Sequence, residues 1–232
     1  MTARRRAKLA GIMMALIVVI LAFLALGTWQ VERLAWKRAL IAQVDARLAA
    51  RPVPAPVTAG LDDTYRRVRA TGVFQPGRDT FVQASTVRGP GWWVITPLRT
   101  DGGRLILINR GYVVTRAAPT AAPGLISVTG LLRRSEPGGG FLRNNDPAAD
   151  RWYSRDVAAI AARRGIGKTA PYFIDADAGA EARGAPIGGL TVVRFNNNHL
   201  AYAITWFILA VMTVGGLIMW IVVSRRGAGA RQ

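Results

Sequence analysis

Apolar residues are concentrated in two uninterrupted runs, one near each end of the chain. The first run, Leu9–Leu26, holds 18 uncharged and mainly apolar residues, and the second, Leu200–Val223, holds 24 residues without a charge. As α-helices with a rise of about 1.5 Å per residue, they would extend roughly 27 Å and 36 Å. Because the hydrocarbon core of a bilayer is about 30 Å thick, the pattern predicts two transmembrane helices.

The segment between these runs has a different pattern, in which short runs of β-type residues are separated by Gly, Pro and Asp. The predicted strands are Arg67–Phe74, Thr80–Val87, Trp92–Leu98, Arg104–Asn109, Ile126–Leu132, Tyr172–Ile174 and Thr191–Phe195. Asp101–Gly103 predicts a hairpin loop, because adjacent glycines accept positive φ at little cost. One helix is predicted at Val157–Arg164, with Ser154 as its N-cap and Gly165 as its C-cap. This order of elements favours an antiparallel sheet or a partly open barrel.

Between the first apolar run and the strands, apolar residues at helical spacing predict that the helix continues beyond the membrane. Trp29 and Trp36 suit the membrane interface, and the prolines of Arg51–Pro56 then end the helix. We divide the chain into a basic tail (1–8), a transmembrane helix (9–28), an interfacial helix with a proline-rich linker (29–56), a β-rich domain (57–199), a second transmembrane helix (200–223) and a second tail (224–232). The predicted fold class is membrane α+β, with two transmembrane helices flanking a mainly antiparallel β extracytoplasmic domain that contains one helix.

The charge distribution orients this arrangement. The chain carries a formal charge of +18, from 31 basic and 13 acidic residues. The basic residues of the tails are Arg4, Arg5, Arg6, Lys8, Arg225, Arg226 and Arg231. Because basic residues beside transmembrane helices stay in the cytoplasm, we predict cytoplasmic termini and an exported central domain. The other basic residues are dispersed, which argues against nucleic-acid binding. A cleaved signal sequence is the alternative for Leu9–Leu26, although its apolar core would exceed the usual length of roughly 7–15 residues.

The composition disfavours several classes of enzyme and metal site. The chain has no cysteine and one histidine, so it offers neither a thiolate zinc site nor a thiol nucleophile. Gly165–Thr169 ends like a phosphate loop, but Ala162 replaces its first glycine and Pro171 prevents the helix that should follow. The carboxylate pairs at Asp62–Asp63 and Asp175–Asp177 are predicted to be solvated turns. We therefore predict no catalytic residue, and an exported cell-envelope enzyme is the less favoured alternative.

The single histidine stands at the start of the second apolar run. On a helix, His199, Tyr202, Trp206 and Ala210 would lie along one stripe. Such a stripe could face a ligand, but a histidine with Tyr and Trp at a membrane boundary is also typical of an interfacial anchor. Both interpretations stay open from these residues alone.

The residues that follow the first apolar run form a motif. Leu26–Lys37 reads L-G-T-W-Q-V-E-R-L-A-W-K. It is similar to the L-G-x-W-Q-x-x-R-x-x-W-K signature of the surfeit locus protein 1 family of cytochrome c oxidase assembly factors. Later blocks of that family resemble Gly72–Phe74, Ile95–Leu98, Ile108–Val113, Trp152–Ile166 and His199–Phe207. Tyr112 and Val114 depart from the family pattern, in which Trp and Pro are more common, but neither alters a polar residue with an expected role.

The resemblance implies a non-enzymatic helper that acts on the large catalytic subunit of a haem-copper terminal oxidase, where haem a is received or retained. Bacterial members of the family are similar in being plasma (inner) membrane proteins with a periplasmic domain. On this basis His199 is expected to ligate the haem iron, with Tyr202 and Trp206 lining the porphyrin. Arg194 is expected to meet a propionate. The residues expected at a partner interface are Trp29, Gln30, Arg33, Trp36, Asn109, Arg110 and Gly111.

The way in which such a haem would be held leaves alternatives open. The chain has no second histidine or cysteine, and its methionines are too far along the helices. The iron would thus be five-coordinate, bound to water, or shared with a histidine of a second copy or of the oxidase subunit. A cofactor-free scaffold for oxidase subunits is the alternative function. In either case we predict that Gln30 and Arg33 lie close to His199.

Overall fold

A computed structural model describes residues 3–179, 185–193 and 195–229. The chain divides into two compact units, Met1–Gln43 with Arg194–Gln232, and Val44–Val193. The elements in chain order are α1 (Ala3–Ala49), β1 (Val53–Pro54), a 3₁₀ turn (Leu61–Asp63), β2 (Arg67–Phe74), β3 (Thr80–Thr86), β4 (Gly89–Thr100), β5 (Leu105–Val113), β6 (Leu125–Arg134), β7 (Gly139–Gly140), β8 (Arg143–Asn144), α2 (Val157–Arg164), β9 (Thr169–Ala176) and α3 (His199–Gly229).

The first unit is built from α1 and α3. Both are long and apolar enough to cross a membrane, the candidate spans being Ala7–Ala49 and His199–Ser224. The two predicted membrane helices are therefore present. The predicted continuation of the first helix past its apolar run is confirmed, since α1 extends without a break as far as Ala49. No proline interrupts this stretch, and the first one, Pro52, follows its end.

The second unit is a small barrel extended at two sides. Five strands close into a ring in the order β2, β6, β9, β5 and β4, because the end of β4 pairs with Gly72–Phe74 of β2. Most pairs are antiparallel, whereas β1–β2 and β5–β9 are parallel. β1 and β3 lie at the ends of the strand order. The predicted membrane α+β fold class is confirmed.

Two apolar cores lie on opposite faces of the central strands, because side chains of β5 and β9 alternate between them. One core contains Val68, Phe74, Leu98, Ile106, Ile108, Leu132, Tyr172 and Ile174. The other contains Val82, Ile95, Leu105, Leu107, Trp152, Val157, Ile160 and Phe173, and so includes α2. Burial on both faces explains why β5 is an almost continuous apolar run over Leu105–Ile108.

Two local predictions were wrong. The described residues of Thr191–Phe195 form no strand; the Thr191 side chain instead donates to Asp175 at 3.0 Å. The N-cap of α2 is Asp156, whose Oδ1 accepts the backbone N–H of Ala159 at 3.1 Å. Ser154 lies too far upstream for this bond, and its hydroxyl donates to the carbonyl of Glu136. The predicted C-cap is confirmed, since Gly165 has φ +58°.

Candidate functional site

A buried hydrogen bond joins the two membrane helices at the start of α3. The imidazole Nδ1 of His199 lies 2.8 Å from Oε1 of Gln30 on α1, and Gln30 is only 9% exposed. An amide oxygen can only accept, so Nδ1 carries the proton and donates. The lone pair of the neutral ring is then on Nε2. The predicted proximity of Gln30 to His199 is confirmed.

This hydrogen bond belongs to a closely packed face between α1 and α3. In the part of α1 that belongs to the first unit, the buried residues are Gly27, Gln30 and Leu34, and on α3 they include Ala203 and Ala210. A Cβ placed on Gly27 would lie 2.7 Å from the ring of Phe207. Small residues thus allow the helices to approach, as is usual for helix pairs in membranes.

The predicted haem-contacting residues occupy different parts of this unit. Trp206 is partly buried, and its ring centroid lies 5.7 Å from that of Phe23 on α1. Tyr202 is 55% exposed, while its neighbour Ala203 takes the buried position. Arg194 lies outside the described residues. The structure therefore brings His199 together with Gln30, packs Trp206 against Phe23 of α1, and leaves Tyr202 exposed.

The aromatic and basic residues after the first span show how the signature motif is used. Trp29 and Trp36 are about half exposed, and the guanidinium of Arg33 stacks over Trp36 at 4.0 Å. Lys37, the last residue of the signature, was not predicted to contact a ligand or partner, and its ammonium lies 5.3 Å from the ring centroid of Phe195. Its signal in the sequence is its spacing, because Lys37 follows Gln30 by seven residues and shares its helix face. Lys37 offers a cation on the side of α1 that carries Gln30.

A second polar cluster lies inside the barrel unit, around the buried carboxylate of Asp175. This side chain is 2% exposed and forms ion pairs with Arg133 at 3.0 Å and Arg155 at 3.1 Å. Asn109 Nδ2 donates to the same carboxylate at 2.8 Å. The prediction of a solvated turn at Asp175 was wrong, because two guanidiniums compensate its charge inside the protein.

The charge on Arg155 is fixed by its surroundings. Burial alone would lower its pKa, but the carboxylates of Asp175 and Glu136 raise the pKa of Arg155 above its usual range. The guanidinium also stacks on Phe173, at 4.7 Å from the ring centroid. A group held permanently protonated cannot exchange protons in a reaction, so Arg155 stabilises the barrel by charge and packing.

The predicted interface block Asn109–Gly111 has clear local roles. Asn109 is 2% exposed, and its Oδ1 accepts the N–H of Gly111 at 3.2 Å. Gly111 has φ +138°, and a Cβ there would collide with the backbone of Ile187. Arg110 donates to the carbonyl of Pro119 at 3.2 Å. These contacts account for the block structurally, and its role in partner binding stays a prediction.

Metal binding is restricted by the donors that the chain offers. Within the described residues there is no group of three or more His, Cys, Asp or Glu that could hold a metal ion. His199 is the only histidine in the sequence. A metal held here by an imidazole would thus receive one protein nitrogen, the free Nε2.

Comparisons with known proteins agree with the motif. A model of the SURF1 family matches residues 17–211. Surfeit locus protein 1 of Rattus norvegicus is 35% identical over 214 residues, covering 81% of this chain and 68% of that protein. The Homo sapiens protein of the same name is 33% identical, with 85% and 73% covered. A SURF1-like protein of Monosiga brevicollis is 33% identical, with 94% and 89% covered. With its signature residues on the helix pair described above, this chain belongs to the SURF1 family.

Proposed function

We propose that this protein is an assembly factor for a haem-copper terminal oxidase and that it receives or retains haem a for the large catalytic subunit. Membership of the SURF1 family supports a role in cytochrome c oxidase assembly. The observation that carries the haem step is the hydrogen bond from His199 Nδ1 to Gln30, which leaves the lone pair of Nε2 available to an iron. Metal-binding histidines usually donate their second N–H to such an acceptor, which fixes the ring.

The residues around His199 suit a haem cargo. When bound, haem supplies an iron that accepts an imidazole nitrogen, together with an apolar ring and two carboxylates. His199 would bind the iron through Nε2, and the ring of Trp206 would pack against the porphyrin. The ammonium of Lys37 would pair with a haem carboxylate. The role of Tyr202 as a further wall is retained in the proposal, because its ring is exposed one turn from His199.

The supply of a second axial ligand is part of the proposal. The methionine nearest to His199 along α3 is Met212, about 20 Å away at the rise of an α-helix. The haem would then be five-coordinate, bound to water, or shared with a histidine of a second copy or of the oxidase. A bis-histidine spectrum is expected only in an oligomer or in complex with the partner.

The cellular placement follows from the basic tails. We propose a bacterial inner-membrane protein with both termini in the cytoplasm and the barrel domain in the periplasm. Arg4 and Lys8 precede the first span, and Arg226 follows the second, as the distribution of basic residues across membranes requires. The free Nε2 of His199 would then lie near the outer membrane surface.

The test is the haem content of detergent-purified protein from cells that make haem a. His199→Ala should remove the absorption of bound haem while leaving the amount of folded protein in the membrane unchanged. Asn198→Ala, at the exposed neighbouring position, should retain it. Haem content equal to wild type in His199→Ala would contradict the proposed site and show that other residues bind the haem.

The second candidate function is a cofactor-free scaffold, which the same hydrogen bond favours because it also links the two helices. His199 and Gln30 join α1 to α3, so this pair could serve only to hold the helices together. Wild-type protein without haem, purified from cells that make haem a and whose oxidase assembly still depends on this chain, would favour the scaffold.

A further inference from the structure

A short hairpin in the barrel unit exposes two large apolar side chains. β7 and β8 pair antiparallel, with Gly139 opposite Asn144 and Gly140 opposite Arg143. This register leaves Phe141 and Leu142 as the two-residue loop, here called the Phe141–Leu142 tip. Phe141 is 92% exposed and Leu142 is 87% exposed. Adjacent bare apolar side chains on a surface commonly mark a binding site.

The backbone of the tip is unfavourable for the residue it carries. Leu142 has φ +58°, in the left-handed region. Turns with a positive φ in this position favour Gly or Asn, because a Cβ is disfavoured there. A large apolar residue at this position is unfavourable in two ways, because its side chain is exposed to water and its φ is in a disfavoured region. Folding alone therefore does not explain it.

The base of the hairpin is held firmly. The N–H of Asn145 donates to the carbonyl of Gly138 at 2.8 Å. Asn145 also donates through Nδ2 to the hydroxyl of Ser154 at 2.9 Å, and its Oδ1 accepts the N–H of Tyr153 at 2.8 Å. The tip is therefore presented on a fixed support, and such preorganisation lowers the cost of binding a shaped partner.

The charge beside the tip indicates the character of the partner. Arg143 is exposed, donates to Gln83 at 3.3 Å and stacks over Tyr153 at 5.5 Å. Its contacts in the described part of the chain include no carboxylate. A guanidinium that has no carboxylate partner among the described residues and stands next to exposed apolar side chains is complementary to an acidic group at the edge of an apolar pocket.

We propose that the Phe141–Leu142 tip is a docking element that enters an apolar pocket with an acidic edge on a partner protein. A lipid surface is the competing occupant, but insertion into lipid does not require a strained turn on a rigid base. Recognition of a shaped pocket does benefit from both, and it concentrates binding in a few central side chains. This inference uses no feature of the His199 site and does not rest on haem binding.

The test uses the full-length protein in its native membrane, with a photoreactive benzophenone amino acid at position 144. Asn144 is exposed and adjoins the tip. Irradiation should give one protein adduct, whose crosslinked peptide combines apolar and acidic residues. Phe141→Ser and Leu142→Gly should each lower the adduct yield by about tenfold or more, as expected for a central contact. Arg143→Glu should lower it as well.

Two controls separate docking from folding. Val87→Ser removes another apolar side chain, 85% exposed in the β3–β4 turn, and should leave the adduct unchanged. Leu142→Gly relieves the positive φ, so its unfolding temperature should not fall below that of wild type. Adducts only with lipid, only with a second copy of this chain, or none at all would overturn the proposal. An adduct that is insensitive to substitutions at 141 and 142 would do the same.

Discussion

Gln30 determines which nitrogen His199 presents. Its side-chain oxygen occupies Nδ1 at 2.8 Å, in a position that is almost fully buried. In water the two tautomers of a neutral imidazole interconvert, and only one of them has its lone pair on Nε2. Here the acceptor selects one tautomer and also fixes the plane of the ring, so in the proposed function Gln30 would position His199 without contacting the haem.

Gln30→Leu should therefore weaken haem retention by roughly 10–100-fold, because this is the usual cost of losing an outer partner of a metal-binding histidine. Gln30→Glu keeps an oxygen acceptor and should retain most of the haem. Haem bound per protein, measured by absorption after purification, gives the comparison. Equal retention in Gln30→Leu and wild type would remove Gln30 from the site.

Asp150 is a partly exposed carboxylate of the barrel unit that accepts hydrogen bonds from three side chains. Trp152 Nε1 and Arg164 each donate to Oδ1, at 2.8 Å and 2.7 Å, and Arg116 pairs with Oδ2 at 2.9 Å. Burial alone would raise its pKa, but these N–H groups and positive charges hold the pKa of Asp150 below its ordinary value of 3.8. Asp150 thus stabilises the fold while it is ionised.

The lowered pKa of Asp150 sets the direction in which folding stability changes with pH. Below pH 3.8 the unfolded carboxyl takes up a proton before the folded one, so stability falls as pH falls toward the folded pKa. The wild-type urea midpoint, followed by tryptophan fluorescence, should drop in this window. Asp150→Asn should flatten that drop and lower the midpoint at neutral pH. Asp101→Asn, in an exposed hairpin loop, is the matched control; an equal slope in wild type and Asp150→Asn would contradict this account.

The pairing of α1 with α3 depends on the absence of a side chain at one position. Gly27 faces the ring of Phe207, whereas nothing lies within 4 Å of a Cβ placed on Gly11 in the same helix. Both glycines lie in helix interiors, where glycine costs stability relative to alanine. At Gly27 that cost is offset by close packing of the two helices.

Gly27→Leu should push the helices apart, at a cost of about 1–3 kcal/mol for overpacking. Because the chain has no cysteine, cysteines introduced at positions 23 and 206 report only on this helix pair. Their crosslinking by a short bifunctional maleimide should fall roughly fivefold or more in Gly27→Leu, from the same energy range. Gly11→Leu should crosslink normally, and a similar loss in both variants would mean that bulk anywhere in α1 has this effect.

The sequence correctly predicted those elements whose determinants lie within the element itself. β2 and α2 have the predicted bounds, since alternation over 67–74 and the Gly165 C-cap are encoded within each segment. The strand predicted at Thr191–Phe195 is absent from the described residues of that segment, and the Thr191 hydroxyl donates to Asp175, sixteen residues earlier. Such a contact leaves no periodic trace in the sequence.

The candidate site also combines features that local spacing predicts with features that depend on the partner helix. Helical spacing placed His199, Trp206 and Ala210 on one stripe, and the buried helix face contains Ala210 and part of Trp206. Spacing also placed Tyr202 on this stripe, because a stripe read from one helix does not include the shape of its partner. Gly27 and Phe207 set that shape, and the structure buries Ala203.

The orientation of the whole chain can be tested at the β4–β5 hairpin. Gly102 is exposed, and nothing lies within 4 Å of a Cβ placed there, so an insertion at this loop should be tolerated. A reporter active only in the cytoplasm should give no signal at Gly102, and one active only in the periplasm should give a strong signal. Fusions at the C-terminus should behave in the opposite way. Cytoplasmic activity at Gly102 would reverse the proposed topology.

The strands at the two ends of the strand order, β1 and β3, are protected against pairing with strands of other proteins. β1 has only two residues, and Pro52 and Pro54 have no N–H to offer an incoming strand. On β3 the N–H of Gln83 already donates to the carbonyl of Trp152 at 2.8 Å. A sheet with such edges is a poor template for β-aggregation. In the proposed function, the domain could therefore lie beside incompletely folded oxidase subunits without recruiting their exposed strands into fibrils.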